Sequence, residues 1–371
     1  MKRFLPILLL SMFLPVFASA ETTVYAIYDE QGVLLTQICA ECSEGDEYIS
    51  RSNQHYSIQQ VDANRRTAVA RHLGEADMPD VSWLTMEDGQ PVASIGQKKI
   101  ALYCTHSDES YIEGDGTESV EGSGGIYDIA RAVADSLEEM GVDVEVSTAT
   151  HLPHDAGAYR RSRQTAVELL KGRPNAIFDI HRDGIPDPEE YRTKVGNQEM
   201  SMVRLLVGKS NQNSEANMNF AKQIKAVADK TRPGLIKDIY MGKGTYNQDL
   251  APRSLLLEFG THTLPKELVL NAVQPMSEVV YKALFGGVTG SAGASDITRG
   301  NPSEKASEET RPASEDSKGA GWSVWLILGL AGGLGLFAFL STGGRGGMQK
   351  WGRSFSEMTG GLFGKKPRDR Q

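Results

Sequence analysis

Along residues 98–286 the hydrophobic positions alternate between two periods. Short apolar runs at 99–104, 142–147, 176–180, 202–207 and 254–259 have the length and composition of strands. Between them, 126–140, 158–170, 215–230 and 266–284 repeat apolar residues every three to four positions, which predicts amphipathic helices. Such alternation calls for an α/β fold with a mostly parallel sheet and flanking helices, and in open sheets of that kind ligands gather at the carboxyl ends of strands.

The flanking segments read differently. Residues 21–95 form a small β-rich module: 23–28 and 32–36 flank a hairpin turn at Asp29-Glu30-Gln31-Gly32, and 56–61 alternates as a further strand. After the domain at 96–286, residues 287–321 are Gly, Ser, Ala, Glu and Pro with almost nothing large and apolar, which makes a flexible tether. Residues 322–340 then run 19 positions without a charge, enough at ~1.5 Å per residue to cross a hydrocarbon core. Trp322 and Trp325 sit where an interfacial belt would lie.

Lys2 and Arg3, the apolar stretch at 4–17 and Ala18-Ser19-Ala20 make residues 1–20 a secretory signal peptide. The tail at 341–371 carries seven Lys or Arg against two acids, so the positive-inside bias keeps it in the cytoplasm and turns residues 21–321 outward. The expectation is a protein of the cell membrane with a single span. Its 371 residues, 40% of them hydrophobic, suffice for one large domain and a smaller one. The net charge of −9 leaves −16 on residues 4–340 once the basic ends are set aside, and a body so acidic has no grip on phosphate backbones; a nucleic-acid partner is excluded. In an exported chain Cys39 and Cys42 are placed to close a small disulfide loop, leaving Cys104 unpaired.

Three polar groups stand where apolar strands end: His106 after 100–104, His181 after 176–180 and Glu258 after 255–257. Two imidazoles and a carboxylate are the usual protein ligands of a catalytic zinc that keeps its fourth position open. For the third ligand the choice is Glu121, just ahead of the helix at 126, with Glu109 as runner-up and Glu113 and Glu118 also open. Glu258, emerging from an apolar run, suits the general base, because partial desolvation raises a carboxylate pKa toward neutrality. The duller reading makes each histidine a hydrogen-bonded structural group.

Thr105-His-Ser-Asp-Glu-Ser-Tyr111, Ala158-Tyr-Arg-Arg-Ser-Arg163, Asp179-Ile-His-Arg-Asp183 and the stretch from Tyr246 to Gly260 together resemble the stage II sporulation protein P family of cell-wall hydrolases. More distantly, residues 98–284 are similar to the zinc-dependent N-acetylmuramoyl-L-alanine amidases. The resemblance implies an amidase-like catalytic domain, Zn2+ held by His106, His181 and a glutamate between them, Glu258 as catalytic glutamate, and peptidoglycan cut between N-acetylmuramic acid and L-alanine. It also implies exported work at the wall in sporulation engulfment or septal remodelling, with a second wall hydrolase or an envelope protein as partner. Arg161, Arg163 and Arg182 are candidates to bind a stem-peptide carboxylate, since a planar guanidinium matches it bidentately. The competing readings are a non-catalytic wall-binding scaffold and a zinc peptidase acting on crosslinks.

Overall fold

The computed structural model describes residues 23–85, 97–155 and 157–286. The expected signal peptide, linker, membrane span and cytoplasmic tail lie outside these residues, and among the described ones no helix is long and apolar enough to cross a membrane.

The first five strands are β1 (Tyr25–Asp29), β2 (Leu34–Ile38), β3 (Glu47–Ile49), β4 (Gln54–Asp62) and β5 (Thr67–Glu75). Then come β6 (Lys99–Tyr103), a short helical turn α1 (Ile112–Asp115), α2 (Ile126–Glu139), β7 (Asp143–Val146), α3 (Ala158–Leu170) and β8 (Ala176–Asp183). A hairpin of β9 (Arg192–Val195) and β10 (Gln198–Ser201) leads into β11 (Val203–Gly208), α4 (Ser214–Thr231), β12 (Ile236–Gly242), β13 (Ser254–Thr261) and α5 (Lys266–Phe285).

Eleven strands form one sheet in the order β2-β1-β5-β4-β3-β12-β11-β13-β8-β6-β7. Within residues 98–286 the expected mostly parallel order holds, four of the five neighbouring strand pairs in this sheet being parallel; taken whole, with the amino-terminal strands joined to it, the sheet is mixed. Parallel pairing runs β13-β8-β6-β7, β11-β12 and β1-β5, but β11 lies antiparallel to β13, and the other amino-terminal pairs are antiparallel. Those amino-terminal strands join the sheet through β3, where Ile49, Tyr48 and Glu47 face Ile239, Tyr240 and Met241 of β12.

The two faces of the central strands differ because successive side chains point to opposite sides. Ile100, Leu102, Phe178, Ile180, Val203, Leu205, Leu255, Leu257 and Phe259 share one buried core with residues of α2, α4 and α5. The opposite face holds a smaller cluster in which Ala101, Tyr103 and Ile177 meet Ala166 and Leu169 of α3. On that second face strand register sets His181 beside Glu258, Glu258 beside Arg204 and Arg204 beside Asp238, a charged row across four strands. A helix layer that covers only part of a sheet face leaves room for such a row. His181 and Glu258 thus lie within β8 and β13 rather than beyond their ends, because the two strands stay paired past both residues.

Arg204 is fully buried and makes five hydrogen bonds of 2.7–2.9 Å: two to Asp238, one to Asp183, one to the Thr36 hydroxyl and one to the Gln37 carbonyl. A buried guanidinium is tolerated only with its donors matched in this way. It ties strand β2 to β12, β11 and the end of β8. Cys39 and Cys42, expected to bridge, are free thiols; the Cys42 sulfur instead lies 3.7 Å from the Tyr240 hydroxyl, which donates to Asp46.

Candidate metal centre

Strand β6 ends at Tyr103, and the chain then turns tightly, with the Glu109 amide donating to the His106 carbonyl at 3.3 Å. This turn brings Glu109 back beneath His106. Glu109 Oε1 lies 3.1 Å from His106 Nδ1 and 3.4 Å from His181 Nδ1. One ligand-type atom from each of the three residues lies within 4.8 Å of the others. Tetrahedral zinc with bonds of about 2.0–2.2 Å keeps its donors about 3.3–3.6 Å apart, so two imidazole nitrogens and a carboxylate oxygen at these separations fit such an ion.

Several contacts hold the donors in place. The Thr105 amide and hydroxyl donate to Asp179 at 2.8 and 2.6 Å, and Asp179 Oδ1 stands 3.0 Å from His181 Nε2, on the side of the ring away from Glu109. A carboxylate this close behind the imidazole pairs with it by charge, although His181 Nε2 makes no hydrogen bond. Glu109 Oε2 accepts from the Arg182 amide at 3.0 Å. Gly124 packs so closely on the turn that a Cβ there would come within 2.3 Å of the Glu109 carbonyl oxygen, so only glycine lets the loop close over the ligand.

Charges follow from burial and these contacts. Burial pushes the His106 imidazole below its ordinary value against the pull of Glu109, which favours the neutral ring that a metal requires. For Glu109 burial acts upward, but His181 and the His106 hydrogen bond outweigh it and hold the carboxyl well below the usual range. At His181 burial acts downward and is overcome by Asp179 and Glu109, which hold the ring well above its ordinary value. Glu258 is pushed up to about 8, first by burial and then by the charge of Asp183, and its Oε2 is sealed from solvent without a hydrogen-bond partner.

Of the sequence-expected residues, His106, His181 and Glu258 are brought together on one face of the sheet. Glu121 is not. It is exposed at the tip of a turn closed by the Ser123 amide on the Val120 carbonyl, and Glu109 occupies the place chosen for it. Glu113 and Glu118 are likewise exposed. The three arginines are engaged within the protein. Arg161 binds the carbonyls of His151 and Pro153 and the Asp155 carboxylate, Arg163 makes a bidentate pair with Asp249 at 2.8 and 2.6 Å, and Arg182 donates to the Ser110, Asp183 and Glu118 carbonyls.

Three neighbours were not marked by sequence reasoning as part of the site. His154 stacks on His106 with ring centroids 3.9 Å apart and is held by Asp108 at 3.0 Å. Tyr159, in a stretch noticed only for its arginines, sits 5.5 Å from His106 and 6.3 Å from His181 by ring centroids. Cys39 borders the site from the amino-terminal strands, its thiol pushed up to about 12 by burial and then by Asp183 and Glu258.

A family model for stage II sporulation protein P matches residues 20–281. The chain belongs to that family. Stage II sporulation protein P of Bacillus subtilis (strain 168) is 27% identical over 209 residues, covering 51% of this chain and 52% of that protein, so the chain spans about half the length of the curated relative it matches. Among solved structures it is similar to the N-acetylmuramoyl-L-alanine amidase AmiC2 of Nostoc punctiforme, at 14% identity and a TM-score of 0.32 over 51% of this chain and 96% of that one. It is also similar to the CwlD amidase of Clostridioides difficile in complex with the GerS lipoprotein, at 19% identity and a TM-score of 0.31 over 50% and 96%. Within this stage II sporulation protein P family member, the donor turn and the β8-β13 pair lie inside the residues matched by the family model.

Proposed function

We propose that this chain is a zinc-dependent peptidoglycan hydrolase that cuts the amide between N-acetylmuramic acid and L-alanine, acting outside the cell membrane from a carboxyl-terminal anchor during sporulation wall remodelling. The observation that carries this reading is the convergence of His106 Nδ1, Glu109 Oε1 and His181 Nδ1 beside the unpartnered Glu258 carboxyl. Family membership supports the substrate.

When bound, zinc polarises the scissile carbonyl and makes water more acidic. His106, Glu109 and His181 hold it, with Asp179 paired by charge behind the His181 ring. Glu258 takes the proton from the attacking water and passes it to the leaving amine. A carboxyl pushed up to about 8 stands near the pH at which it must both accept and donate. The fixed turn and the sheet register place these groups before substrate arrives, which spares reorganisation during the reaction.

The test is release of soluble fragments from purified sacculi by the full chain with zinc present. A newly exposed lactyl carboxylate on the muramoyl products, seen by mass spectrometry, is the expected result. New peptide termini with intact muramoyl amides would make it a crosslink peptidase instead. Undiminished hydrolysis by a correctly folded His181→Ala variant would overturn the ligand assignment.

A further inference from the structure

Tyr159 lies in the first turn of α3, with its ring edge-on to His106 at 5.5 Å and near-parallel to His181 at 6.3 Å between centroids. Tyr246 packs on its other side at 5.3 Å. A phenol titrates near 10, so at neutral pH its hydroxyl is a neutral O–H donor.

Among the described residues the hydroxyl of the half-buried Tyr159, like those of Tyr25 and Tyr103, lacks the protein partner that the other tyrosines packed in the interior have. Tyr111, Tyr127, Tyr191 and Tyr240 each donate to a protein oxygen. The Tyr159 hydroxyl has no hydrogen bond among the described residues, and it is also absent from the sealed unpartnered atoms, which are Asn53 Oδ1, His181 Nε2, Glu258 Oε2 and Ser277 Oγ. It is therefore unpartnered within the protein yet not sealed from solvent. A tyrosine whose ring is buried normally finds a partner for its hydroxyl.

Its position is held from several directions. Asn247 Nδ2 donates to the Tyr159 carbonyl and to the Ser162 hydroxyl, both at 3.0 Å, and that hydroxyl meets Thr105 Oγ1 at 2.8 Å. Arg161 and Arg163 clamp the same helix start through the 151–155 loop and Asp249. Asn247 and Tyr246 both adopt the left-handed region, with φ of 57° and 50°. Two successive residues in that region cost energy that the surrounding contacts must offset. A Cβ on Gly244 would run into the Tyr246 ring at 2.5 Å, so the chain gives up a side chain there to admit that ring.

We propose that Tyr159 is a catalytic residue, whose hydroxyl donates a hydrogen bond to the carbonyl oxygen of the scissile amide. This rests on the hydrolase reading above. The bond strengthens as water adds to the carbonyl carbon and its oxygen gains negative charge, so it acts on the transition state more than on bound substrate. Arg161, Arg163 and Asn247 are then positioning residues for the phenol.

The test compares the full-length wild-type protein with Tyr159→Phe on a soluble peptidoglycan fragment bearing an intact muramoyl-L-alanine amide, with zinc content measured in both. The ring and the helix start are kept and only the hydroxyl is lost. The expected result is a fall in kcat of about 10²-fold, with KM changed less than about threefold and zinc unchanged at one per chain. A kcat within about threefold of wild type overturns the inference, as does a raised KM at unchanged kcat or a loss of zinc that accounts for the lost rate. An inactive wild-type protein overturns the hydrolase reading and the inference with it, whereas an active wild type with an unimpaired Phe variant overturns the inference alone.

Discussion

Replacing Arg204 with Met keeps most of the aliphatic volume and removes the one cation that serves both Asp238 and Asp183 in the buried row. Hydrogen bonds to charged groups contribute about 1.5–3 kcal/mol each, but five of them do not add, because the guanidinium also no longer has to be dehydrated. The better guide is the cost of stripping one partner from a buried ion pair, about 3–5 kcal/mol. Arg204, Asp183 and Asp238 are all buried and one cation balances two acids, so the upper end, about 5 kcal/mol, is expected. Urea unfolding of the full chain followed by circular dichroism measures it. The loss should grow with pH. Burial acts upward on Asp238, but Arg204 outweighs it and holds the carboxyl below its ordinary value, so the native protein gains stability as pH rises through about 4. In the variant only Lys237 and the Thr36 hydroxyl still oppose burial, so Asp238 keeps its proton to higher pH than in the native protein and the rise in stability is lost. Adding Asp238→Asn should recover about 2 kcal/mol of the deficit. A loss below about 1 kcal/mol at pH 7.5, or one that shrinks with pH, would refute the claim that this cation locks the amino-terminal strands to the site.

Other consequences can be measured separately. Glu109→Ala should weaken zinc binding by at least about 10²-fold in competition with a chromophoric chelator, while Glu121→Ala leaves it unchanged; the reverse outcome would restore the residue favoured from sequence. Glu258→Gln should abolish hydrolysis with zinc retained, and persistent turnover would remove Glu258 from the reaction. In the metal-free protein, Glu258 holds its proton to about pH 8 whereas the unfolded chain releases it near 4.5, so stability should fall as pH rises between those values, and Glu258→Gln should flatten that slope. Alkylation under denaturing conditions without reductant should label all three cysteines, and a pair resistant to label would mean that Cys39 and Cys42 are joined.

The helices were legible to within a residue or two, since their apolar stripes are long and uninterrupted: α3 was expected at 158–170 and spans Ala158–Leu170, and α5 was expected at 266–284 and spans Lys266–Phe285. Strand β12 was missed because Lys237 and Asp238 break its apolar run. Both are buried, and only tertiary partners make that tolerable: Glu190 for the lysine and Arg204 for the aspartate. The two histidines and Glu258 were legible as polar groups following apolar strands. Glu109 was ranked second because three residues look too few to bring a second donor to the same ion, yet a single tight turn does so, and no local composition marks that turn. Arg161 and Arg163 read as ligand-binding groups from their chemistry; their acceptors come from the 151–155 loop and from Asp249, 86 residues beyond Arg163, which no local pattern could supply.

The pairing of β3 with β12 limits how the molecule can be divided. A fragment starting at Gln97 would expose the outer backbone of β12 as a bare edge, strip Tyr240 of its cover and leave Arg204 short of two acceptors. Bare strands of that kind recruit one another, so the fragment should clump rather than stay in solution. The strands between Tyr25 and Glu75 thus act as a sewn-in hem, and another module could replace them only by re-stitching the seam beside the site.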